Sequence, residues 1–493
     1  MHPAVLYRRL APLTPASNAR LHRWAAALLT QALPGLLDVV PAYSSLYVEY
    51  DEQQVPESEV AAWVDRLCPE EQQAQAGRTM QLPVCYDGPD LDEVAARLGL
   101  SVPELVRQHS AVPYRVYALG FVAGFPFMGE VPPALQLPRR SVPRARVPAH
   151  SVAMAAAQSG LYPVASPGGW HLLGRALEAA FDPRRPEPFL LQPGDTVQFV
   201  PTPGESPPDL VPLSLLPQSP QRPLLRVERP GALDLLMDRG RFLQGRYGLV
   251  RSGALDALAA DVANRLLGNP PDAPVLELHL SGPQLTVLAD AVLSVTGAGL
   301  VALVDGEPQP TWSSFAVHAG QTLRFRPDGR GRVSYLALPG GLQAEPFRGS
   351  VSTDLKAGVG RPLQAGDVLG AAGAHRPLAG RRSHPRLTTG PIRLLPLDDD
   401  PAALEALCSA PFRVLDADRM GVRLDGPAVP GGEVRSEASP IGTVQVPPSG
   451  QPIVLLNDKG TLGGYRKPAR VWPPDLPRLA QVRPGEWVRF RRA

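Results

Sequence analysis

Across residues 120–175 glycine and proline recur too often for any helix to form. Glycine supplies positive-φ turns and close backbone approaches, while proline freezes φ and removes an N–H donor. The same run interleaves aromatic rings with Arg139, Arg140, Arg144 and Arg146. It encodes rigid turns and short strands that hold guanidinium groups at set positions. Such forks suit a carboxylate, a phosphate or a polarised amide oxygen, although arginines at a barrel corner can equally face water. The whole chain shares this bias: 59 of 493 residues are proline, about 12% against ~5% in ordinary proteins. Because 44% of residues are hydrophobic, the expectation is a turn-rich, mainly β fold rather than disorder.

Helical periodicity is confined to a few places. Leu21, Trp24, Leu28 and Leu29 make an apolar stripe within 17–33 that Pro34 and Gly35 stop. Alternating segments at 37–40 and 46–50 and an amphipathic helix near 57–67 complete an α+β N-terminal domain, expected over 1–80. A strand at 81–86 leaves it. Asp90 with Glu93, and Ser101 with Glu104, have capping-box spacing and open short helices ending near Gly99 and His109. After 114–119 the chain is strand and turn, so 81–205 is expected to be a barrel. Eight prolines between Pro201 and Pro223 mark a linker, 206–225. A helix carried by Leu255, Leu258, Ala259, Val262 and Leu266 follows, stopped by Gly268-Asn-Pro-Pro271. Hairpin signals then dominate, and an irregular segment at 373–391 divides the remainder into 226–372 and 373–493.

One phrase recurs. Gln192-Pro-Gly-Asp-Thr-Val-Gln-Phe199 resembles His318-Ala-Gly-Gln-Thr-Leu-Arg-Phe325 and Arg483-Pro-Gly-Glu-Trp-Val-Arg-Phe490, with a shorter echo at Gln364-Ala-Gly-Asp-Val-Leu369. Each copy encodes a tight turn at glycine and then a strand, which predicts three related barrel units closed by this strand.

Much chemistry is absent. The three lysines, Lys356, Lys459 and Lys467, are not in a P-loop, and Lys356 lacks the context of a biotin attachment site. No histidine or cysteine spacing fits zinc, and no G-x-S-x-G elbow or dinucleotide fingerprint occurs. A net charge of +2 argues for neither nucleic acid nor a membrane surface, and the apolar run 24–29 is too short to span one. Three scattered cysteines fit a reducing, cytoplasmic setting.

Longer blocks carry a resemblance. Residues 2–205 resemble the family of the 5-oxoprolinase B component (Kip inhibitor, allophanate hydrolase subunit 1) in Leu82-Pro-Val-Cys-Tyr86, His109-Ser110, the Gly-Phe repeats and Ser166-Pro-Gly-Gly-Trp170. Residues 226–493 resemble the family of the C component (Kip antagonist, allophanate hydrolase subunit 2) in Asp238-Arg-Gly-Arg241, Ser252-Gly-Ala-Leu-Asp256, Asp418-Arg-Met-Gly421, Val444-Gln-Val-Pro-Pro448 and Gly463-Gly-Tyr465. The resemblance implies a B/C fusion of tandem cyclophilin-like barrels. It also implies ATP-dependent opening of 5-oxoproline to glutamate with a separate A component of 5-oxoprolinase. ATP with Mg would be held by this chain or only in the complex, without covalent biotin here. Rival implications are a carboxyltransferase acting on urea or a related amide, and a non-catalytic kinase-regulating binding protein. Oligomerisation is left open.

The resemblance nominates His109, Asp238, Asp256 and Asp458 for acid, base or phosphate-binding work, with His109 near the B–C interface. Arg139, Arg140 and Arg144 would hold a substrate carboxylate or phosphate, Ser166, Gly168 and Gly169 would offer backbone amides to an oxyanion, and Gln445 and Tyr465 would recognise an amide. Plainer roles compete: a helix-end histidine, surface ion pairs, and Ser252 as an N-cap. Ala123, His150, Leu235 and Arg466 depart from the family pattern, and the His150 side chain is expected to narrow a pocket.

Overall fold

The computed structural model describes residues 2–70, 77–383 and 389–493. Near the N-terminus strands Pro3–Arg9, Ser45–Asp51 and Leu36–Pro41 form an antiparallel sheet with Ser45–Asp51 in the centre. Helices Pro15–Thr30 and Glu57–Arg66 cover one face through Leu21, Trp24, Leu28, Val60 and Trp63, which meet Leu46, Val48 and Tyr50. Thr14 and Ser17 close a reciprocal capping box at the start of the first helix. Strand alternation sends Tyr47 and Glu49 to the other face, towards the C-terminal half. The edge strand Pro3–Arg9 has no counterpart in the sequence reading, because its apolar alternation is weak.

Seven strands from Thr79–Cys85 to Thr196–Pro201 form a closed barrel, with a two-stranded flap of Arg144–Val147 and Ser166–Gly168 beside it. Residues 202–222 are not a free tether: Leu215 is buried in the next core, and the Leu213 N–H donates to Gly358 O at 2.8 Å. A six-stranded and a five-stranded sheet follow. They pack face to face through Leu225, Val227, Leu285 and Val287 against Leu276, Leu278, Val295 and Leu336. The far side of the five-stranded sheet, with helix Ala257–Leu267, shares one core with the last sheet, which includes Leu394, Val444 and Ala469. That last sheet has nine strands, and its two ends, Trp487–Val488 and Phe490–Arg492, are separated by one residue. The sheet therefore almost closes on itself. Among the described residues no helix is long and apolar enough to cross a membrane.

The recurrent phrase folds the same way four times. In each copy the first residue's N–H donates to the side chain three residues on: to Asp195 at 2.9 Å, Gln321 at 2.7 Å, Asp367 at 2.7 Å and Glu486 at 3.0 Å. The intervening glycines Gly194, Gly320, Gly366 and Gly485 take φ of 96°, 89°, 91° and 91°. The role after the turn differs. Thr196–Pro201 and Phe490–Arg492 run parallel to the strands that open their units, Thr79–Cys85 and Ile392–Pro396. Thr322–Pro327 instead lies inside its sheet, antiparallel to both neighbours, so the middle unit is two sheets rather than a ring closed by this strand.

A Cβ on Gly320 would meet nothing within 4 Å, so Gly320→Ala tests backbone conformation alone. It should cost about 1–2 kcal/mol, measured as a lower urea midpoint with the fold retained.

Candidate active site

A shared apolar core joins the N-terminal half to the last sheet. Val40, Tyr43, Tyr117, Phe125 and Trp170 pack with Ala438 and Leu462. Gly120 makes this approach possible, since its Cβ would lie 2.4 Å from the Leu462 side chain. The Tyr7 hydroxyl donates to Ala438 O at 3.0 Å, and Arg9 pairs with Glu437 at 3.1 Å.

Polar groups from both halves converge beside this core. Gln158 Nε2 donates to the buried Tyr43 hydroxyl at 2.6 Å. On the facing wall, strand Thr443–Val446 carries Gln445, and the long strand Leu462–Val471 carries Gly463, Gly464, Tyr465 and Lys467. A Cβ on Gly463 would come within 2.2 Å of Gln445 Nε2, and one on Gly464 within 3.9 Å of Arg139 Nη2. Glycine therefore brings both side chains up to the bare strand. Gln445 is buried and makes only a long bond, 3.5 Å, from Nε2 to Ser439 Oγ. Lys467 Nζ donates to Gly463 O at 3.0 Å and sits 3.5 Å from Glu437. Burial lowers the Lys467 ammonium, with Glu437 opposing. Arg139 and Arg435 are exposed at the rim, and both act electrostatically on Tyr43, whose hydroxyl burial raises. Tyr465 is half-buried opposite Glu433. The result is a cleft with a cationic rim and an amide side chain on its floor, suited to an anion that carries an amide.

The other nominated residues have different surroundings. Arg140 and Arg144 both bond the buried Asp90, at 3.1 and 2.5 Å, and Asp90 also accepts from the Leu172 N–H at 2.8 Å. Gly168 lies opposite Arg144 in the flap, and Gly169 O accepts from the Arg140 N–H at 2.9 Å. A Cβ on Gly168 would strike the Tyr162 hydroxyl at 2.3 Å, and Ser166 Oγ donates to Val164 O at 3.4 Å. Contrary to expectation, Arg140, Arg144, Ser166, Gly168 and Gly169 build the support on which Arg139 is presented. His150 takes φ 64°, which glycine adopts more easily, and its ring is buried.

His109 is a second correction. It is fully buried inside the barrel, shares a 2.8 Å hydrogen bond with Tyr86 and stacks on Phe199 with ring centroids 5.2 Å apart. Burial lowers it to about 3, so it is a neutral core residue away from the interface. Asp256, not Ser252, caps helix Ala257–Leu267: its carboxylate accepts from the Ala259 N–H at 2.9 Å and from Gln481 Nε2 at 2.8 Å. Asp238 is occupied by the N–H groups of Gly240 and Val351, each at 2.8 Å, and by the hydroxyls of Ser350 and Ser352. Asp458 receives two bonds from Arg419, at 2.8 and 2.9 Å. These three carboxylates anchor structure and do not meet in the cleft.

Arg419 is the centre of a buried network. Besides Asp458 it reaches Glu277 and donates to Gly253 O at 2.9 Å, while Glu277 also accepts from the Tyr335 hydroxyl at 2.7 Å and lies 2.8 Å from His279. Burial alone would raise the Glu277 carboxyl, but Arg419 and His279 override it and hold it well below the carboxylate range. Sequence reasoning missed Tyr43, Gln158, Arg435 and Lys467 in the cleft. Lys467 alone had a usable signal, as one of three lysines in a chain that otherwise uses arginine. Among the described residues no group of three or more His, Cys, Asp and Glu side chains is placed to hold a metal ion. The residues present therefore do not fit a magnesium–nucleotide site.

A closed barrel and a nearly closed sheet, docked around a cationic cleft, define a class. The family model described as "Carboxyltransferase domain, subdomain C and D" matches residues 2–191, and "Carboxyltransferase domain, subdomain A and B" matches 247–492. The N-terminal half is 41% identical over 205 residues to the 5-oxoprolinase B subunit of Escherichia coli O157:H7, covering 40% of this chain and 92% of that protein. A 280-residue stretch is 35% identical to the 5-oxoprolinase C subunit of Escherichia coli K12, covering 54% of this chain and 90% of that protein. The crystal structure of TTHA0988 superposes with a TM-score of 0.95 at 51% identity, over 99% of this chain and all of that one. The chain belongs to the carboxyltransferase-domain family, as a fused 5-oxoprolinase B/C component.

Arg419→Met strands two buried carboxylates and should cost about 3–5 kcal/mol, read from urea unfolding. The depressed Glu277 carboxyl contributes stability that is complete above its ordinary value of 4.5 and is lost as pH falls towards its folded value. Unfolding measured from pH 7 down to pH 3 should therefore show a steeper loss in the native chain than in Glu277→Gln.

Proposed function

We propose that this chain is the B/C component of an ATP-dependent 5-oxoprolinase, opening the ring amide of 5-oxoproline to the γ-carboxylate of glutamate together with a separate A component. The observation that carries the reading is coverage: one chain matches nearly the whole length of both 5-oxoprolinase relatives, and its two halves dock around one cleft. Arg139 and Arg435 are the groups to take the substrate carboxylate. The Gln445 side chain offers both a donor and an acceptor to the lactam N–H and C=O. Lys467 supplies a nearby cation as charge develops on the amide oxygen, the element of amide chemistry that most needs stabilising. ATP with Mg belongs, in this reading, to the A component or to the assembled complex, and no step on this chain runs through it.

A second reading, carboxyl transfer to urea or a related amide, is favoured by the description of both matched domains as carboxyltransferase. Glutamate and ADP should both form from 5-oxoproline when the chain is mixed with an A component, and neither should form with the chain alone. A stable complex that makes neither product sinks the hydrolytic reading and favours a regulatory binding role. Transfer of label from carboxybiotin to urea would select the second reading. Arg139→Ala and Gln445→Ala should each lower kcat/KM by ~10- to 100-fold without moving the melting temperature, whereas Arg144→Ala should lower the melting temperature as well.

A further inference from the structure

Next to the cleft is a cavity of about 30 Å³, lined by Asp38, Tyr47, Glu49, Arg251, Lys459 and Thr461 among others. A water-sized group occupies ~10–15 Å³ by this measure, so there is room for about two. The lining brings together the N-terminal sheet, the loop before helix Ala257–Leu267 and the last sheet. Arg251 pairs through both terminal nitrogens with Glu49, and that pair is electrically neutral.

What the cavity lacks is acceptors. The hydroxyls of Tyr47 and Thr461 and the Arg251 Nε–H are buried without a hydrogen-bond partner among the described residues. Lys459 Nζ makes one long bond, 3.4 Å to Gly460 O, so two of its three N–H groups are unused. Each buried donor left unmade costs about 1–3 kcal/mol, and lysine and arginine cannot accept. One carboxylate remains, Asp38, with one oxygen bonded to its own neighbour's N–H at 2.9 Å. Burial, opposed by Arg251, pushes that carboxyl up to about 6, so its charge is the one most readily surrendered when another anion enters. Burial likewise lowers Lys459, to about 8, which still leaves it protonated at neutral pH.

We propose that this cavity binds a small planar oxyanion of the carboxylate class, formate or bicarbonate in size, with Lys459 as its counter-ion and Tyr47 and Thr461 as hydrogen-bond donors. With Asp38 protonated, these lining charges sum to one positive charge, which a monoanion balances. An acceptor-only group of three or four heavy atoms satisfies donors that two waters would satisfy only in part. This site does not depend on which reaction the cleft performs.

The test uses the full chain. Thermal unfolding in sodium formate or sodium bicarbonate, against sodium chloride at equal ionic strength and pH, should show a saturable rise for one or both oxyanions, and the larger rise identifies the preferred one. Lys459→Met should abolish the rise, and Thr461→Val should weaken binding ~3- to 10-fold while melting normally in chloride. If Lys459→Met does not fold, Thr461→Val and Tyr47→Phe decide. No rise beyond chloride in the native chain, or an undiminished rise in these variants, overturns the proposal.

Discussion

The arrangement of the C-terminal half depends on one guanidinium with almost no access to water. Arg419 stands between strands Phe412–Ala417 and Gly421–Asp425 and spends its donors on Asp458, Glu277 and Gly253 O. Burying such charges costs several kcal/mol each unless every one is paired, so the network permits a single arrangement of the segments that supply it. Asp458 leads directly into Lys459 and on to Gly463, which form one wall of the cavity and of the cleft. Gly253 follows Arg251, which forms another. One ion network therefore sets the relative position of groups that come from three separate parts of the chain.

The opposite wall depends on strand alternation. In Ser45–Asp51 all seven residues are buried, which an isolated three-stranded sheet covered by helices on one face would not produce. Leu46, Val48 and Tyr50 satisfy the helices, leaving Tyr47 and Glu49 to meet the C-terminal half. Docking of the halves is thus what buries Glu49 and Arg251 together. The fused chain keeps these partners attached, and residues 202–222 reinforce the docking by packing on the middle unit instead of hanging free.

Arginine has two distinct uses at the rim. Where a buried carboxylate is within reach, as Asp90 is for Arg140 and Arg144, the guanidinium becomes part of the scaffold. Arg139 and Arg435 make no ion pair among the described residues and stay available to an anionic ligand. Adjacent residues of the same type, Arg139 and Arg140, consequently have different chemistry.

Features governed by a few neighbouring residues were legible in the sequence. The four glycine turns, the stops at Gly99 and Gly268 and the helix over 257–267 all follow from steric limits on φ and from capping within one turn. The mainly β class and the family followed from composition and contiguous blocks. Only the tertiary structure decided that the middle unit is two packed sheets, because closure depends on strand register set by distant segments. It also decided that His109 is sealed in a core, that Asp256 rather than Ser252 is the cap, and that Lys459 lacks acceptors. Those outcomes depend on desolvation and on partners as far apart as Tyr7 and Ala438, 431 residues along the chain. Local preferences act over a few residues, whereas whether a charge is paired, buried or free is settled by contacts the linear order does not contain.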